Sequence, residues 1–91
     1  MPYRHVVLFR LHDGADANAA VAALRAARPR LGASRWHITT SLDERKGTVV
    51  VEDATFDDEA SFAAWRVSEQ HLAAVAHMKA HADWLVGDWV E

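Results

Sequence analysis

Cysteine is absent from the 91 residues, which excludes a disulfide framework, a thiolate metal site and a cysteine nucleophile. Thiols therefore say nothing about redox compartment. Proline occurs twice and glycine four times, with no linker, repeat or low-complexity tract, so residues 1–91 are expected to form a single domain. No apolar run approaches the roughly 20 residues needed to cross a bilayer. The opening Met-Pro-Tyr-Arg-His lacks the apolar core of a secretory signal. Basic blocks are missing too. A formal net charge of −3 offers no footprint for a phosphate backbone. The expectation is a soluble, cytoplasmic protein with neither a nucleic-acid nor a membrane partner. Phosphate-cradling glycine loops, a nucleophile elbow and a dinucleotide fingerprint are likewise absent.

What is present is an apolar chain, 51% hydrophobic, with six histidines and four tryptophans. Tyr3 to Leu11 alternates as a strand, with Tyr3, His5, Val7, Phe9 and Leu11 on one face and Arg4, Val6, Leu8 and Arg10 on the other. His12-Asp13-Gly14 reads as a turn. Asp16 is the expected N-cap of a helix that ends at Arg28-Pro29, its buried stripe formed by Ala20, Leu24, Ala27 and Leu31. Gly32 follows as a loop residue. Ser34–Ser41 and Thr48–Glu52 read as two strands of a hairpin joined by the polar turn Asp43–Gly47. Phe56-Asp57-Asp58-Glu59 opens a second helix with an aspartate cap, and Phe62 and Trp65 share its inner face. Ser68 caps an abutting third helix with the stripe His71, Val75, Met78 and Ala82. Trp84–Val90 closes the chain as a strand.

The order β-α-β-β-α-α-β is an α+β, ferredoxin-like split pattern with a four-stranded antiparallel sheet and its second helix divided. Helices cover one face of such a sheet. The other face, bearing Val6 and Leu8, is expected to meet a second copy of the same sheet, giving a homodimeric α/β barrel.

Several stretches resemble the stress-responsive A/B barrel domain family, Dabb, over nearly the whole chain. Arg4-His5-Val6-Val7-Leu8-Phe9-Arg10-Leu11 resembles its opening strand, where a histidine precedes an apolar run. Val49-Val50-Val51-Glu52-Asp53-Ala54-Thr55-Phe56-Asp57-Asp58 is similar to its third strand and acidic helix start. His71 stands at the second histidine of a Tyr-x-x-His-Pro-x-His stretch, and Val86-Gly87-Asp88-Trp89 resembles the final strand. Trp65 replaces the tyrosine of that stretch, and Ser68-Glu69 replace its His-Pro. The resemblance implies a homodimeric barrel with a pocket between helices and sheet. The family includes a plant olivetolic acid cyclase, which closes a linear polyketide thioester by intramolecular aldol chemistry without metal or organic cofactor. The resemblance puts its two key histidines at His5 and His71.

Aldol chemistry needs a base that is neutral near pH 7 and a second group that orients it or polarises a carbonyl. His71, in the first turn of a helix capped by Ser68, suits the base, because the positive end of the helix disfavours imidazolium there. His5, facing the helices, is expected to hold His71 in one tautomer or to bind a carbonyl oxygen. The catalytic pair is thus His5 and His71, with Trp65, Val7, Phe9 and Val75 contacting a small apolar or aromatic molecule and no cofactor required. The plainer alternative makes both histidines half-buried packing residues of a non-enzymatic, stress-responsive barrel. A third reading is haem or metal handling. His77 and His81, four apart on one helical face, have ligand spacing, but two ligands do not make a site and no metal is expected. The pair reads as a polar helix face beside Ala73 and Ala74. Trp36, Trp84 and Trp89 are expected to fill the core and the dimer barrel, and Arg25, Arg28, Arg30 and Arg35 to form a solvated face. His12 is assigned to the turn, and Asp57-Asp58-Glu59 to helix capping.

Overall fold

The computed structural model describes residues 1–91. Its elements are β1 (Tyr3–Leu11), α1 (Ala17–Ala26), β2 (Ala33–Thr40), β3 (Val49–Phe56), α2 (Glu59–Arg66), α3 (Glu69–His81) and β4 (Ala82–Val90). The strands form one antiparallel sheet in the order β2-β3-β1-β4. All three helices begin at side-chain caps. Asp16 accepts from the Ala19 amide, Asp58 from the Ser61 amide and Ser68 from the His71 amide, each oxygen taking a donor that the first helical turn leaves free.

Alternation along β1 sets the layering. Val7, Phe9 and Leu11 are buried beneath the helices, joined by Val50, Ala54 and Phe56 of β3 and Ile38 of β2. Leu24 of α1, Phe62 and Trp65 of α2, and Ala74 and Met78 of α3 close the core from above. The indole N–H of Trp65 donates to the Ala27 carbonyl at 2.7 Å and that of Trp36 to the Leu24 carbonyl at 3.2 Å. Neither indole strands its donor, Trp65 being buried and Trp36 partly buried.

The structure corrects the sequence-based expectations at several points. Helix α1 stops at Ala26 rather than Arg28, so Leu31 falls in the loop and is 85% exposed instead of completing a buried stripe. Phe56 does not open α2. It ends β3, which runs past Glu52, and it is fully buried. Ala82 is buried as expected, but it opens β4, two residues before Trp84, and does not continue α3. Ala74 is buried rather than part of a polar face. Gly32 has φ +82° and a Cβ built there would stand 3.0 Å from Ser61 Cβ, so this loop needs glycine for conformation and for space.

The face turned away from the helices carries Val6, Leu8, Val51, Leu85 and Trp89, with Leu8 46% and Leu85 76% exposed. At one end of it Asp53 bridges Arg4 at 2.7 Å and Arg35 at 3.0 Å, so Arg35 is paired rather than merely solvated. Burial works to raise the Asp53 pKa, but the two guanidiniums outweigh it and hold the carboxyl below its ordinary value. Trp89, expected in the core or barrel, lies on this face with the Arg4 guanidinium 5.3 Å from its ring centre.

Candidate active site

The register of β1 with its neighbours assembles a polar cluster on the covered face. His5 lies directly opposite Asp88 of β4, while Glu52 of β3 lies opposite Val7, one diagonal step from His5. His5 Nδ1 is 2.7 Å from Asp88 Oδ1, and Nε2 is 3.0 Å from Glu52 Oε2. The other Asp88 oxygen accepts from the Tyr3 hydroxyl at 2.7 Å. His5 and Glu52 are both buried. Burial by itself pushes the His5 pKa down. The polar contacts and negative charges of Glu52 and Asp88 more than reverse this, so the pKa stands above the ordinary histidine value. The ring is held between two carboxylates and lies tilted against Phe62, 4.9 Å between ring centres. Tyr3 is pushed up to about 12, by desolvation and then by its hydrogen bond to Asp88.

His71 has a different setting. Helix α2 ends at Arg66, so that residue's carbonyl has no helical partner. His71, in the first turn of α3, takes it: Nδ1 is 2.7 Å from the Arg66 carbonyl oxygen. A carbonyl only accepts, so Nδ1 carries a proton, and in the neutral tautomer this selects Nε2 is the atom with the lone pair. The ring packs on Trp65, 4.1 Å between centres.

His5 therefore does not hold His71 in its tautomer, as the sequence suggested; the Arg66 carbonyl does. Nor has His5 a nitrogen left for a substrate carbonyl, because both are engaged. The two histidines nevertheless border the same space. An inner cavity of about 70 Å³ is lined by His5, Val7, Phe9, Glu52, His71 and Val75, among others. A cleft of about 450 Å³ adjoins it, walled by Trp65, Phe62, Leu72, Trp84 and Val86, with Arg66, His71 and Asp88 at its edge. All six residues singled out from the sequence line one or the other. Trp84, expected as core filling, is a wall residue, 5.5 Å from Phe9 between ring centres.

Sequence reasoning missed Glu52 and Asp88 as members of the cluster. A signal existed for Glu52: in Val50, Glu52, Ala54 and Phe56 the alternation puts a carboxylate on an otherwise apolar, buried face. His77 and His81 lie 4.7 Å apart between ring centres, and no group of three or more His, Asp or Glu side chains is arranged so as to hold a metal ion. His12 sits in the turn with Nε2 3.4 Å from Asp83. No helix is long and apolar enough to cross a membrane.

Residues 3–91 match the family described as the stress responsive A/B barrel domain, Dabb. No curated protein matches the chain. Among solved structures, a dimeric ferredoxin-like protein of unknown function from Thermobifida fusca is similar, with TM-score 0.87 and 21% identity over 100% of this chain and 92% of its own. SnoaB, a cofactor-independent oxygenase from Streptomyces nogalater, has TM-score 0.78 and 22% identity over 99% of this chain and 92% of its own. A Dabb family protein with a ferredoxin-like fold from Mesorhizobium loti has TM-score 0.78 and 18% identity over 99% and 96%. At these identities the likeness is one of fold.

Proposed function

Starting from a chain that belongs to the stress responsive A/B barrel family, we propose a cofactor-independent acid–base enzyme acting on a small, apolar, conjugated molecule. The observation that carries this reading is the commitment of His71 Nδ1 to the Arg66 carbonyl, which leaves Nε2 as a base beside an aromatic-walled cleft. Nε2 takes a proton from a carbon next to a carbonyl. The resulting carbanion attacks a second carbonyl carbon of the same molecule, a C–C bond forms, and the alkoxide recovers the proton from His71. This is an aldol-type ring closure of the kind a polyketide cyclase performs.

His5 acts at one remove. Two carboxylates, Glu52 and Asp88, flank its single ring, and the net negative field of this group stabilises His71 once it is protonated. Arg66, at the cleft edge, supplies the cation toward which an enolate oxygen turns. Trp65, Val7, Phe9 and Val75 bound the volume the substrate fills. Deprotonation to an electron-rich carbanion also begins reaction with dioxygen, so the oxygenase activity of SnoaB is chemically compatible with this first step.

The working unit in this proposal is a homodimer, the bare sheet faces packed together as a barrel. The apolar exposure of Leu8, Leu85 and Trp89 supports it, as does the dimeric state of the Thermobifida protein.

The test is deuterium exchange at the methyl group of 2-acetonaphthone in D₂O, followed by NMR. Wild-type protein accelerates the exchange and His71→Ala loses about 100-fold or more of the acceleration, the usual range for a positioned general base. Equal exchange rates in the two proteins would refute the assignment.

A further inference from the structure

Glu52 is the deepest charged group in the molecule, 3% exposed at the floor of the inner cavity. Its contact with His5 uses Oε2. A carboxylate has about four acceptor positions, and Glu52 accepts from no other side chain or backbone amide. No side-chain oxygen in the structure is both sealed and unpartnered. The spare acceptor capacity of Glu52 therefore opens onto the cavity it lines, among Val7, Phe9, Val75 and Met78. Apart from His5 and His71, the walls around it are apolar.

We infer that Glu52 contacts the substrate, accepting a hydrogen bond from a phenolic or enolic hydroxyl that enters the inner cavity while the ring system occupies the outer cleft. This rests on the proposed function and adds a substrate class: flat, uncharged and hydroxyl-bearing. An ionised carboxylate accepts and cannot donate, so it selects a donor over a carbonyl or ether. It also repels a substrate carboxylate. The inner volume of about 70 Å³ accommodates a terminal group and not a ring. The reactive carbon then lies outside it, on the side where His71 borders both spaces.

The experiment compares 2-naphthol with 2-methoxynaphthalene, which keeps the ring and oxygen but loses the donor. Binding is read by quenching of tryptophan fluorescence in wild type, Glu52→Gln and Glu44→Gln, the last on the exposed turn between β2 and β3. Wild type binds the naphthol roughly 10-fold tighter than the ether, the discrimination expected of a hydrogen bond to a buried charge. Glu52→Gln, which keeps the side-chain volume, loses most of that preference, and Glu44→Gln retains it. Equal affinity of wild type for the two ligands, or an unchanged preference in Glu52→Gln, overturns the assignment while leaving the His71 exchange assay intact. Failure of both ligands to bind overturns this inference and the pocket reading together.

Discussion

Replacing His5 by leucine tests the buried cluster most directly. The ring lies 2.7 Å from Asp88 and 3.0 Å from Glu52, and its side chain is 8% exposed. Its removal leaves Glu52, with a side-chain exposure of 4%, as a buried carboxylate without a cation. Breaking a buried pair in this way costs about 3–5 kcal/mol. A chain of this length has a total stability of roughly 5–14 kcal/mol, so the variant should be close to unfolding in mild urea. Replacing both His5 and Glu52 by leucine removes the stranded charge and should recover most of the loss. The pH dependence has a definite sign. Because the folded His5 pKa is raised, its stabilisation is fully present below the unfolded value of about 6.5 and fades as pH rises through the folded pKa. Urea denaturation between pH 6 and pH 10 should show this falling component in wild type and its absence in the double variant. A His5→Leu loss below about 1 kcal/mol, or a wild-type contribution that grows with pH in this window, would refute the reasoning.

Gly32→Ala should lower stability by about 1–2 kcal/mol from the left-handed backbone alone, with crowding against Ser61 added. For a domain of this size that is a fall in Tm of roughly 5–15 °C, measurable by circular dichroism. On the bare sheet face, Leu8 and Leu85 are direct cross-strand partners. Replacing both by lysine should give a monomer in light scattering at micromolar concentration where wild type gives the proposed dimer, since packing the two sheets together would then bury four lysines.

The order of elements follows from local signals that each segment carries. Two-residue alternation marks β1, oxygen-bearing caps mark the starts of all three helices, and a Ser68 cap two residues after Arg66 divides the second helical segment. The sequence also singled out His5 and His71 by type and by resemblance. Boundaries failed where tertiary packing overrode local preference. Phe56 stays in β3 because the core holds it fully buried, and Leu31 is exposed because α1 ends before a turn that only Gly32 can make.

The chemistry of the site was legible only in part. Asp88 is 83 residues from His5, and only the register of β4 on β1 sets the two face to face. Glu52 joins them because β3 pairs with β1 one diagonal step away. The Arg66 carbonyl that fixes the proton on His71 is a backbone group. No side-chain pattern announces it, and it becomes available only where α2 stops and α3 folds back over it. Local periodicity determined which faces are apolar. Strand register and the helix break, both set by packing across the whole core, decided which histidine is locked between charges and which keeps a free nitrogen.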